Sequence, residues 1–511
     1  MIENIQIKTA LLSVSDKSEL KELANALTSF GVQLYSTGGT EKFLHDNGYA
    51  VKSVSELTKF PEMMDGRVKT LHPMVHGGLL YRRDIAEHAA QASEHGIESI
   101  DLLVVNLYPF EATLAKEGST HEEIIENIDI GGPAMLRSAG KNYEGVALLT
   151  APAQYHDFIG ELKKNKGAIS KETRLALASE AFEHVAQYDR AITDYFGGTK
   201  KVTLRYGENP HQSATVRSNA LNKLYHQLWG KELSYNNYLD SSASLLLISE
   251  FLDSKKTVVG IIKHTNPCGM AEGKDVLDAF ENAFATDTES PFGGIIVMNR
   301  ECTEALALRI NEFFSEVILA PSYHEKALEI LKKKKDRRLL TYDSVELKKQ
   351  IAGSKDVRSI IGGILEQESD TQLFENADMK SVTKRAVSDD EREGLLFAWK
   401  ICKHVKSNAI VYARSDSGFA RTIGIGCGQT SRVASSRLAV ASAKRFGHSL
   451  EGSLVASDAF FPFADGLLEA ADAGAIAVIE PGGSMRDDEV IRAAEEKNIS
   501  LVMTGMRHFK H

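Results

Sequence analysis

Residues 10–40 read ALLSVSDKSELKELANALTSFGVQLYSTGGT, and this stretch decides the fold class. Two short apolar runs, ALLSVSD and VQLYST, are typical of strands. Between them, KSELKELANALTSFG has apolar residues at helical spacing. Alternating strands and helices of this kind predict an α/β domain with a mostly parallel sheet.

The same alternation continues along the chain and divides it. LLVVNLYPF and GVALLTA are strand-like and GTEKFLHDNG is helix-like. A long helical pattern, ETRLALASEAFEHVAQYDRAITDYF, then stops at Gly197-Gly198. Because 511 residues exceed what one core usually serves, we expect two to four domains. We place a boundary near residue 199, which gives domains 1–199 and 200–511.

Beyond that boundary, strand-like runs again end in polar residues or Gly/Pro turns. They are TVVGIIKHTN, GGIIVMNREC, EVILAPS, NAIVYAR, GSLVASDAFFPF and AIAVIEPGG. Because ligands of open α/β sheets gather at the carboxyl ends of strands, these ends are candidate site positions. The charged run KKKKDRR at residues 332–338 ends a helical pattern, and we expect it to be a solvated helix end.

The composition excludes several classes of protein. The formal net charge is −10 and the isoelectric point is near 5.9, so no overall positive field favours nucleic acid or an anionic membrane. No stretch approaches the ~18 apolar residues of a membrane span, and the first residues lack a signal-peptide pattern. Four cysteines without a C-x-x-C pair argue against a disulfide framework or a thiolate zinc site. We expect a soluble, cytoplasmic protein.

Two loops of the N-terminal domain have the composition of a phosphate pocket. Ser15-Asp16-Lys17 follows one strand, STGGT at 36–40 follows the next, and each opens a helix. Glycines let the backbone approach a phosphate, and a helix N-terminus supplies free N–H groups and a positive dipole end. Either loop alone is also an ordinary N-cap or turn. RVKTLHP at 67–73 favours the pocket, because its basic side chains suit a loop that closes over an anion.

Amide, phenol, carboxylate and ammonium groups also lie at element ends. In the N-terminal domain these are Asn106, Tyr108, Asp129 and Lys141. In the C-terminal domain LRYGENPHQ at 204–212 places a cation and an aromatic ring in one turn, which suits a phosphate and a base.

Lys263 and His264 end an apolar run side by side. A neighbouring ammonium favours the neutral imidazole, which accepts a proton near pH 7. A single histidine at a strand end is more often structural. Here the functional interpretation is favoured, because further polar residues also lie at strand ends or turns, namely Asn408, Gln429, Asp465 and Arg507.

Seven motifs occur together and in order: RVKTLHP, NLYPF, DIGGP, LRYGENPHQ, KHTNPCG, SDAFFPF and TGMRHFKH. With them the chain closely resembles, essentially from end to end, the AICAR formyltransferase/IMP cyclohydrolase family of purine biosynthesis. The resemblance implies a methylglyoxal-synthase-like N-terminal domain. It also implies a C-terminal formyltransferase region of two cytidine-deaminase-like subdomains, split roughly near 370–390, and a homodimer whose formyltransferase sites lie between subunits.

The activity that this resemblance implies is the last two steps of IMP synthesis. Formyl transfer from the co-substrate 10-formyltetrahydrofolate to AICAR gives formyl-AICAR, and dehydrative ring closure then gives IMP. The implied partners are these small molecules and a second copy of the chain, without nucleic acid, membrane or a catalytic metal.

The resemblance also implies roles for individual residues. Formyl transfer would use His264 as base, with Lys263 and Asn408. AICAR would be bound by Arg205, Tyr206, His264, Glu316, Asn408, Phe460 and Arg507, where Glu316 stands in place of an aspartate of the family. The folate side would comprise Gln429, Arg432, Phe463 and Asp465. In the cyclohydrolase, Lys141 would donate and accept protons, and Lys69, Tyr108 and Asp129 would orient the reacting groups. The IMP or formyl-AICAR pocket would comprise Ser15, Asp16, Lys17, Thr37, Gly38, Gly39, Thr40, Arg67, Lys69, Thr70, Asn106 and Asp129.

Two other classes stay open from the residues alone. A zinc-dependent deaminase would share the C-terminal fold, but its P-C-x-x-C signature is broken, because Ala271 stands where the second cysteine should follow Pro267-Cys268. A nucleotide-sensing regulatory protein would share the N-terminal fold. Such a sensor has no need of the proton-transfer groups Lys69, Tyr108 and Lys141.

Overall fold

The computed structural model describes residues 3–64, 67–197, 200–218, 221–373, 379 and 381–511. The chain forms two compact units, Met1–Lys200 and Lys201–His511. The predicted boundary at residue 199 lies outside the described residues, as does part of the predicted subdomain split near 370–390.

In the first unit strands and helices alternate along the chain. The strands are β1 (Asn4–Gln6), β2 (Thr9–Ser13), β3 (Gln33–Ser36), β4 (Val51–Ser53), β5 (Leu102–Val105), β6 (Ala147–Leu149) and β7 (Ala168–Ser170). The helices are α1 (Leu20–Ser29), α2 (Gly38–Asp46), α3 (Val54–Thr58), α4 (Pro73–Leu80), α5 (Ala86–Glu94), α6 (Phe110–Ala115), α7 (His121–Glu126), α8 (Gly131–Lys141), α9 (Tyr155–Lys164) and α10 (Lys171–Tyr195).

Five of these strands form a parallel sheet in the order β4-β3-β2-β5-β6. The central strands are apolar throughout because helices cover both faces. Leu12 packs with α1 and α9 on one face, and Leu11 packs with α4, α8 and α10 on the other. Burial of one such leucine contributes ~1.5–3 kcal/mol. The chain runs from β2 through β3 to β4 and then returns to β5 on the other side of β2. The strand order therefore reverses between β2 and β5, where such sheets bind ligands.

The second unit is larger and has a mixed sheet. Its strands are β8 (Lys200–Leu204), β9 (Ala214–Ser218), β10 (Tyr225–Trp229), β11 (Thr257–Lys263), β12 (Asn266–Gly273), β13 (Ile295–Met298), β14 (Val317–Ala320), β15 (Arg338–Tyr342), β16 (Lys355–Ile360), β17 (Gly363–Glu368), β18 (Ile410–Asp416), β19 (Phe419–Gly426), β20 (Ser453–Ser457), β21 (Ala475–Glu480) and β22 (Ser500–Met503). The helices are α11 (Leu221–Leu224), α12 (Tyr235–Ser249), α13 (Val276–Thr286), α14 (Glu304–Ile310), α15 (Glu325–Leu331), α16 (Ser344–Ala352), α17 (Asp389–Cys402), α18 (Arg432–Arg445), α19 (Asp465–Ala473) and α20 (Asp487–Glu496).

Eleven strands form the large sheet, in the order β10-β15-β14-β13-β11-β12-β19-β18-β20-β21-β22. This order contains a repeat. The hairpin β11–β12 is followed by the parallel strands β13, β14 and β15, and the hairpin β18–β19 is followed by the parallel strands β20, β21 and β22. The two halves join where β12 pairs with β19. Each half has its own buried helix-and-sheet cluster on one face, and a third cluster spans both halves.

The prediction for the run at residues 332–338 is wrong for its last two members. The α15 helix ends at Leu331, and Arg337 is fully buried. Its guanidinium donates to the carbonyls of Ile310 and Phe313, and burial lowers the pKa of Arg337 to about 10. Arg338 pairs with Glu316 at 3.3 Å. The sequence of a charged run does not show which of its side chains will bond buried carbonyls. Here the carbonyls belong to residues 310 and 313, which are more than 20 residues away in the chain.

Within the described part of the chain, no helix is both long enough and apolar enough to cross a membrane.

Candidate active sites

A cavity of about 490 Å³ opens in the first unit where β2 and β5 end. It is lined by Ser13, Val14, Ser15, Thr37, Gly39, Thr40, Arg67, Lys69, Thr70, Val105, Asn106, Tyr108, Ile125, Glu126, Ile128, Asp129, Ile130, Gly131, Gly132 and Met135. Most of the predicted cyclohydrolase residues are therefore brought together. They meet because the carboxyl ends of neighbouring parallel strands lie at one edge of the sheet.

One end of this cavity is built to hold an anion. The start of α2, capped by Thr37, presents helix N–H groups to it, and helix N-termini favour negative charge. Thr40 holds the loop after β2 closed, because its hydroxyl bonds both the N–H and the carbonyl of Val14. Lys69 approaches α2 so closely that a Cβ on Gly38 would lie 2.6 Å from its Nζ. This explains glycine at that position, since a larger residue would displace the cation.

The other end of the cavity holds Asp129 and Tyr108, two of the predicted cyclohydrolase residues. Gly132 N–H at the start of α8 donates to Asp129 Oδ1 at 2.7 Å. Burial nevertheless raises the pKa of Asp129, with partial opposition from that hydrogen bond. Burial also raises the pKa of Tyr108, and the charge of Asp129 raises it further. A carboxyl group and a phenol with raised pKa values can exchange protons with a substrate between them.

Four predicted residues are not in the lining of this cavity, namely Lys141, Asp16, Lys17 and Gly38. Lys141 is exposed at the last residue of α8, about 15 Å along the helix axis from Gly131 at ten rises of 1.5 Å. Asp16 is exposed and accepts from Ser18 N–H at 2.8 Å, an arrangement that lowers the pKa of Asp16. Lys17 Nζ donates to the carbonyls of Val14 and Ser15. The proton-transfer role of Lys141 stays a prediction.

Sequence reasoning missed two acidic residues of this site. Arg67 pairs with Glu126, which lines the cavity, and Lys69 pairs with Glu62 at 3.0 Å. Each cation therefore has a carboxylate partner that a bound phosphate would replace or share. The positions of Glu62 close to RVKTLHP and of Glu126 close to Asp129 are the sequence features that could have indicated these pairs. Acidic residues at such positions are, however, common on protein surfaces.

In the second unit, Lys263 and His264 stand at a tight turn. His264 and Thr265 join β11 to β12 with φ angles of 52° and 63°, the combination found in two-residue type I′ hairpin turns. The turn is tied down because Thr265 N–H donates to Asp240 Oδ1 at 2.8 Å. It leaves His264 exposed, while Lys263 Nζ donates to the carbonyl of Phe292 at 2.9 Å. The chain bends at residues 264–265, before Asn266-Pro267.

Asn408 lies beside this turn. Asn266 Oδ1 accepts from the N–H of Lys406, two residues before Asn408. The Asn408 amide group has a defined orientation, because its Oδ1 accepts from Arg432 Nη1 at 2.7 Å and its Nδ2 donates to the carbonyl of Gln429 at 2.8 Å. One Nδ2 hydrogen has no acceptor within the described residues and is available to a substrate oxygen.

Arg432 is a buried organising residue of this region. Its guanidinium bonds Asn408, pairs with buried Asp458 at 2.6 Å, and donates to Ser457 and to the carbonyl of Ala459. These contacts join the loop before β18 to the loop after β20. The predicted folate contact of Arg432 stays a prediction, and its neighbour Gln429 is only partly buried, with Nε2 on the carbonyl of Cys427.

The C-terminal segment completes the same region. His508 N–H donates to the carbonyl of Asp458, and Ser407 and Lys510 exchange two hydrogen bonds. Lys510 Nζ donates to the carbonyl of His404, and burial lowers the pKa of Lys510 to about 8. Arg507 is exposed, with its guanidinium 4.4 Å from the Phe509 ring. The loop after β20 brings half-buried Phe460, then exposed Phe463 and Asp465.

Three further predicted AICAR residues lie at the ends of other elements in this unit. Arg205 stacks over the Tyr206 ring at 5.6 Å, beyond the end of β8, which pairs only with β9 within the described residues. Glu316, before β14, pairs with Arg338. Burial raises the pKa of Asp240, which holds the His264 turn, and the charge of Glu316 raises it further. The hydrogen bonds of the described residues do not join Arg205 or Tyr206 to Lys263, His264 or Asn408.

The comparisons with known proteins agree along the whole chain. A family model described as AICARFT/IMPCHase bienzyme matches residues 139–442, and one described as MGS-like domain matches residues 19–134. A relative from Chlorobium phaeobacteroides (strain BS1), named Bifunctional purine biosynthesis protein PurH, is 50% identical over 529 residues, 99% of each chain. A relative of the same name from Roseobacter denitrificans (strain ATCC 33942 / OCh 114) is 48% identical over 535 residues, 100% of each chain.

The chain belongs to the AICARFT/IMPCHase bienzyme family.

Membership of the AICARFT/IMPCHase bienzyme family confirms the resemblance drawn from the seven motifs and the MGS-like character of the N-terminal region. It favours the bienzyme over the nucleotide sensor and the zinc deaminase. Within the described part of the chain, no group of three or more His, Cys, Asp or Glu side chains is placed to hold a metal ion.

Proposed function

We propose that the two activities of the family are divided between the two units, ring closure in residues 1–200 and formyl transfer in residues 201–511. The chain is a bifunctional AICAR formyltransferase and IMP cyclohydrolase that uses 10-formyltetrahydrofolate as formyl donor. The observation that carries the division is the cavity at the ends of β2 and β5, which places anion-binding groups and proton-transfer groups at opposite ends of one pocket.

In the cyclohydrolase the carboxamide nitrogen attacks the formyl carbon, and water leaves to close the ring. Ring closure depends mainly on orienting the carboxamide and formyl groups and on moving protons between them. Arg67, Lys69 and the start of α2 would hold the phosphate, which fixes the other end of the substrate near Asp129 and Tyr108. The Asp129 carboxylate would accept the carboxamide proton, and the Tyr108 phenol would donate to the leaving hydroxyl. Lys141 is retained as a proposed proton carrier, although it lies outside the lining.

In the formyltransferase the amine of AICAR attacks the formyl carbon, and the bond from that carbon to the folate nitrogen breaks. The amine is a weak nucleophile, so a base that takes its proton accelerates the attack. His264 would be that base, and Lys263 would help return a proton to the folate nitrogen. Asn408 would donate its available Nδ2 hydrogen to a substrate oxygen, in the orientation that Arg432 imposes. Phe463 and Asp465, with Gln429 and Arg432 behind them, would face the folate.

We also propose that the formyltransferase works as a homodimer with sites shared between subunits. No hydrogen bond of the described residues joins Arg205 or Tyr206 to the His264 region, which supports their supply by a second copy. The β16–β17 hairpin supplies a contact surface. It pairs with no other strand within the described residues, and it exposes apolar side chains at Val357, Ile360, Ile361, Ile364 and Leu365. Exposed apolar patches of this kind mark protein interfaces.

The repeat within the large sheet supports two subdomains in the second unit. We propose that the β11–β15 half and the β18–β22 half are the two cytidine-deaminase-like subdomains, with the division between β17 and α17. We place the enzyme in the cytoplasm, because its four cysteines are all free.

The activity is tested by incubating the protein with AICAR and 10-formyltetrahydrofolate while IMP and tetrahydrofolate are followed together. We expect equal amounts of both products. Supply of formyl-AICAR without folate should give IMP alone. Tetrahydrofolate without IMP, or no reaction with AICAR, would contradict the proposal.

The dimer is tested by Ile361→Asp combined with Ile364→Asp. A buried charge at each position should dissociate the dimer and reduce formyl transfer at least tenfold, since an unpaired charge in an interface costs several kcal/mol. Cyclohydrolase activity should survive. Val345→Asp is the control, because Val345 is 79% exposed on α16 outside the hairpin. A monomeric double variant with normal formyl transfer would show that the sites do not need a second copy.

A further inference from the structure

Glu480 is a buried carboxyl group that the reaction scheme above does not use. It is the last residue of β21 and has no exposed surface. Its Oε2 accepts from the N–H of Phe461 at 2.8 Å. Its Oε1 is buried and has no hydrogen-bond partner within the described residues. A buried carboxylate with one oxygen unsatisfied is costly, so the environment favours the protonated group.

The hydrogen bond from Phe461 connects Glu480 to the formyltransferase site. Phe461 lies in the loop between β20 and α19, directly after Phe460 and two residues before Phe463. The start of this loop is held by Asp458, which pairs with Arg432. The far end is held by packing, because the Phe461 ring lies against Gly466, where a Cβ would be 2.5 Å from the ring. Glu480 therefore anchors the middle of the loop, between its AICAR-side and folate-side residues.

Charged groups lie on the elements around Glu480, and Asp487 among them favours its uncharged form. They are Asp487 on α20, Arg486 just before it, Arg432 on α18, Asp458 after β20, Asp465 on α19 and Glu391 on α17. The Asp487 carboxylate accepts hydrogen bonds from the N–H groups of Gly483 and Ser484. Arg432 acts in the opposite sense, but its guanidinium is already paired with Asp458.

The remaining charged groups are engaged elsewhere. Asp465 is exposed and accepts from Gly466 N–H, Glu391 pairs with Arg385, and Arg486 lies over the Phe463 ring. Burial, with a smaller contribution from Asp487, raises the pKa of Glu480 to about 7.

We propose that Glu480 is a positioning residue for formyl transfer, which in its uncharged form holds the Phe460–Asp465 loop in the shape that receives AICAR and folate. The inference rests on the proposed formyltransferase function of this unit. Ionisation of Glu480 puts an unsatisfied negative charge in the core, and the loop must move to let water or a cation reach it. Formyl transfer then loses affinity for both substrates as the pH rises.

The direction of the pH effect follows from proton linkage. The unfolded chain releases this proton near the ordinary glutamate value of 4.5, and the folded chain holds it to about 7. The folded state therefore binds more protons between these values, and its stability falls as the pH rises through them. Glu480→Gln keeps a carbonyl oxygen for the Phe461 N–H and cannot ionise, so it should remove this dependence.

The test measures KM for AICAR and for 10-formyltetrahydrofolate between about pH 6 and about pH 8.5, across the raised pKa. In the wild type we expect both KM values to rise about tenfold, the size expected for loss of one buried hydrogen-bonded anchor. In Glu480→Gln they should stay level, and in Glu480→Ala they should be high at every pH. The control is Glu489→Gln, which removes a partly exposed carboxylate of the same α20 region and should keep the wild-type profile.

Two outcomes distinguish failure of the proposed function from failure of the role of Glu480. Absence of formyl transfer by the wild type at every pH would overturn the proposed function itself. A wild-type pH profile of KM in Glu480→Gln would overturn the role of Glu480 alone. If that variant does not fold, hydrogen exchange of residues 458–466 in the wild type decides. The exchange rates are first corrected for the pH dependence of intrinsic amide exchange. Local opening of this loop that increases above pH 7 supports the proposal, and opening that does not change with pH rejects it.

Discussion

His264, the proposed base, shows how a single backbone conformation can expose a side chain at the end of a strand. Its φ of 52° and that of Thr265, 63°, lie in the left-handed region, which non-glycine residues rarely adopt. The hairpin and the bond from Thr265 to Asp240 hold them there. The imidazole consequently projects from the end of the sheet instead of packing beside β11.

The first prediction concerns His264→Asn. Asparagine tolerates the left-handed conformation better than alanine, so the turn should persist while the base is removed. We expect formyl transfer to fall ~100- to 10,000-fold, as for loss of a general base, with cyclohydrolase activity unchanged. Single-turnover formyl transfer with separately measured AICAR affinity is the assay. His324→Asn, at an exposed histidine of the same unit, is the control. A near-normal rate would move the base role to Lys263 or to water.

Asp129 carries the second prediction, which concerns pH. Burial raises its pKa, so the protonated form persists to higher pH than in an ordinary aspartate. If the carboxylate takes the carboxamide proton, the cyclohydrolase rate should fall on acidification with a midpoint above the ordinary value of about 3.9. The measurement is kcat/KM for formyl-AICAR against pH. Asp129→Asn should reduce the rate and abolish its fall on acidification. If the variant shows the same fall at acidic pH, another group is responsible for it.

At the scale of elements, the start of α8 depends on two consecutive glycines. A Cβ on Gly132 would lie 2.5 Å from Asp129 Oδ2, and a Cβ on Gly131 would lie 2.7 Å from Thr70 Oγ1. The helix can approach the loops of the cavity only because these side chains are absent. Its N–H groups thereby reach the Asp129 carboxylate.

The third prediction is that Gly132→Ala displaces Asp129 and lowers cyclohydrolase kcat by ~10- to 100-fold, since small misplacements of reacting groups are costly. Stability should fall by ~1–3 kcal/mol through overpacking. Gly160→Ala, inside α9 where a Cβ meets nothing within 4 Å, is the matched control. It should keep full activity and gain ~0.4–1 kcal/mol. Full activity of Gly132→Ala would mean that the Asp129 position is not critical.

For the whole molecule, the two units have separate cores. The clusters on the two faces of the β2–β6 sheet contain residues of the first unit alone, and the three clusters of the large sheet contain residues of the second. Neither core needs the other to bury its apolar surface. Each unit also contains its own set of residues for which we propose proton transfer.

The fourth prediction follows from those cores. A fragment of residues 1–200 should fold cooperatively and convert formyl-AICAR to IMP without folate, with kcat/KM within about tenfold of the full chain. Circular dichroism during thermal unfolding and IMP formation are the two measurements. The same fragment carrying Asp129→Asn is the control for contaminating activity. A folded fragment without cyclohydrolase activity would show that the ring-closure site needs the second unit.

Much of the architecture and of the first site was predictable from the sequence, and the reason is local. Apolar runs with alternating helical patterns gave the α/β fold, because strands that helices cover on both faces are apolar throughout. Residues such as Thr37, Asn106 and Asp129 follow strands or open helices. Elements of a parallel sheet end at the same edge, so their positions in the sequence predicted their meeting in the cavity.

Other features were decided by tertiary structure. The sequence did not reveal β12 and β19, whose pairing in the middle of the sheet depends on strands far apart in the chain. It did not show that the Arg432 guanidinium bonds groups 24 to 27 residues distant, including Asn408 and Asp458. The sequence likewise gave no indication that Arg337 and Glu480 are buried. Burial and hydrogen-bond partners arise from contacts between distant segments, and a local pattern carries no information about which distant segment arrives.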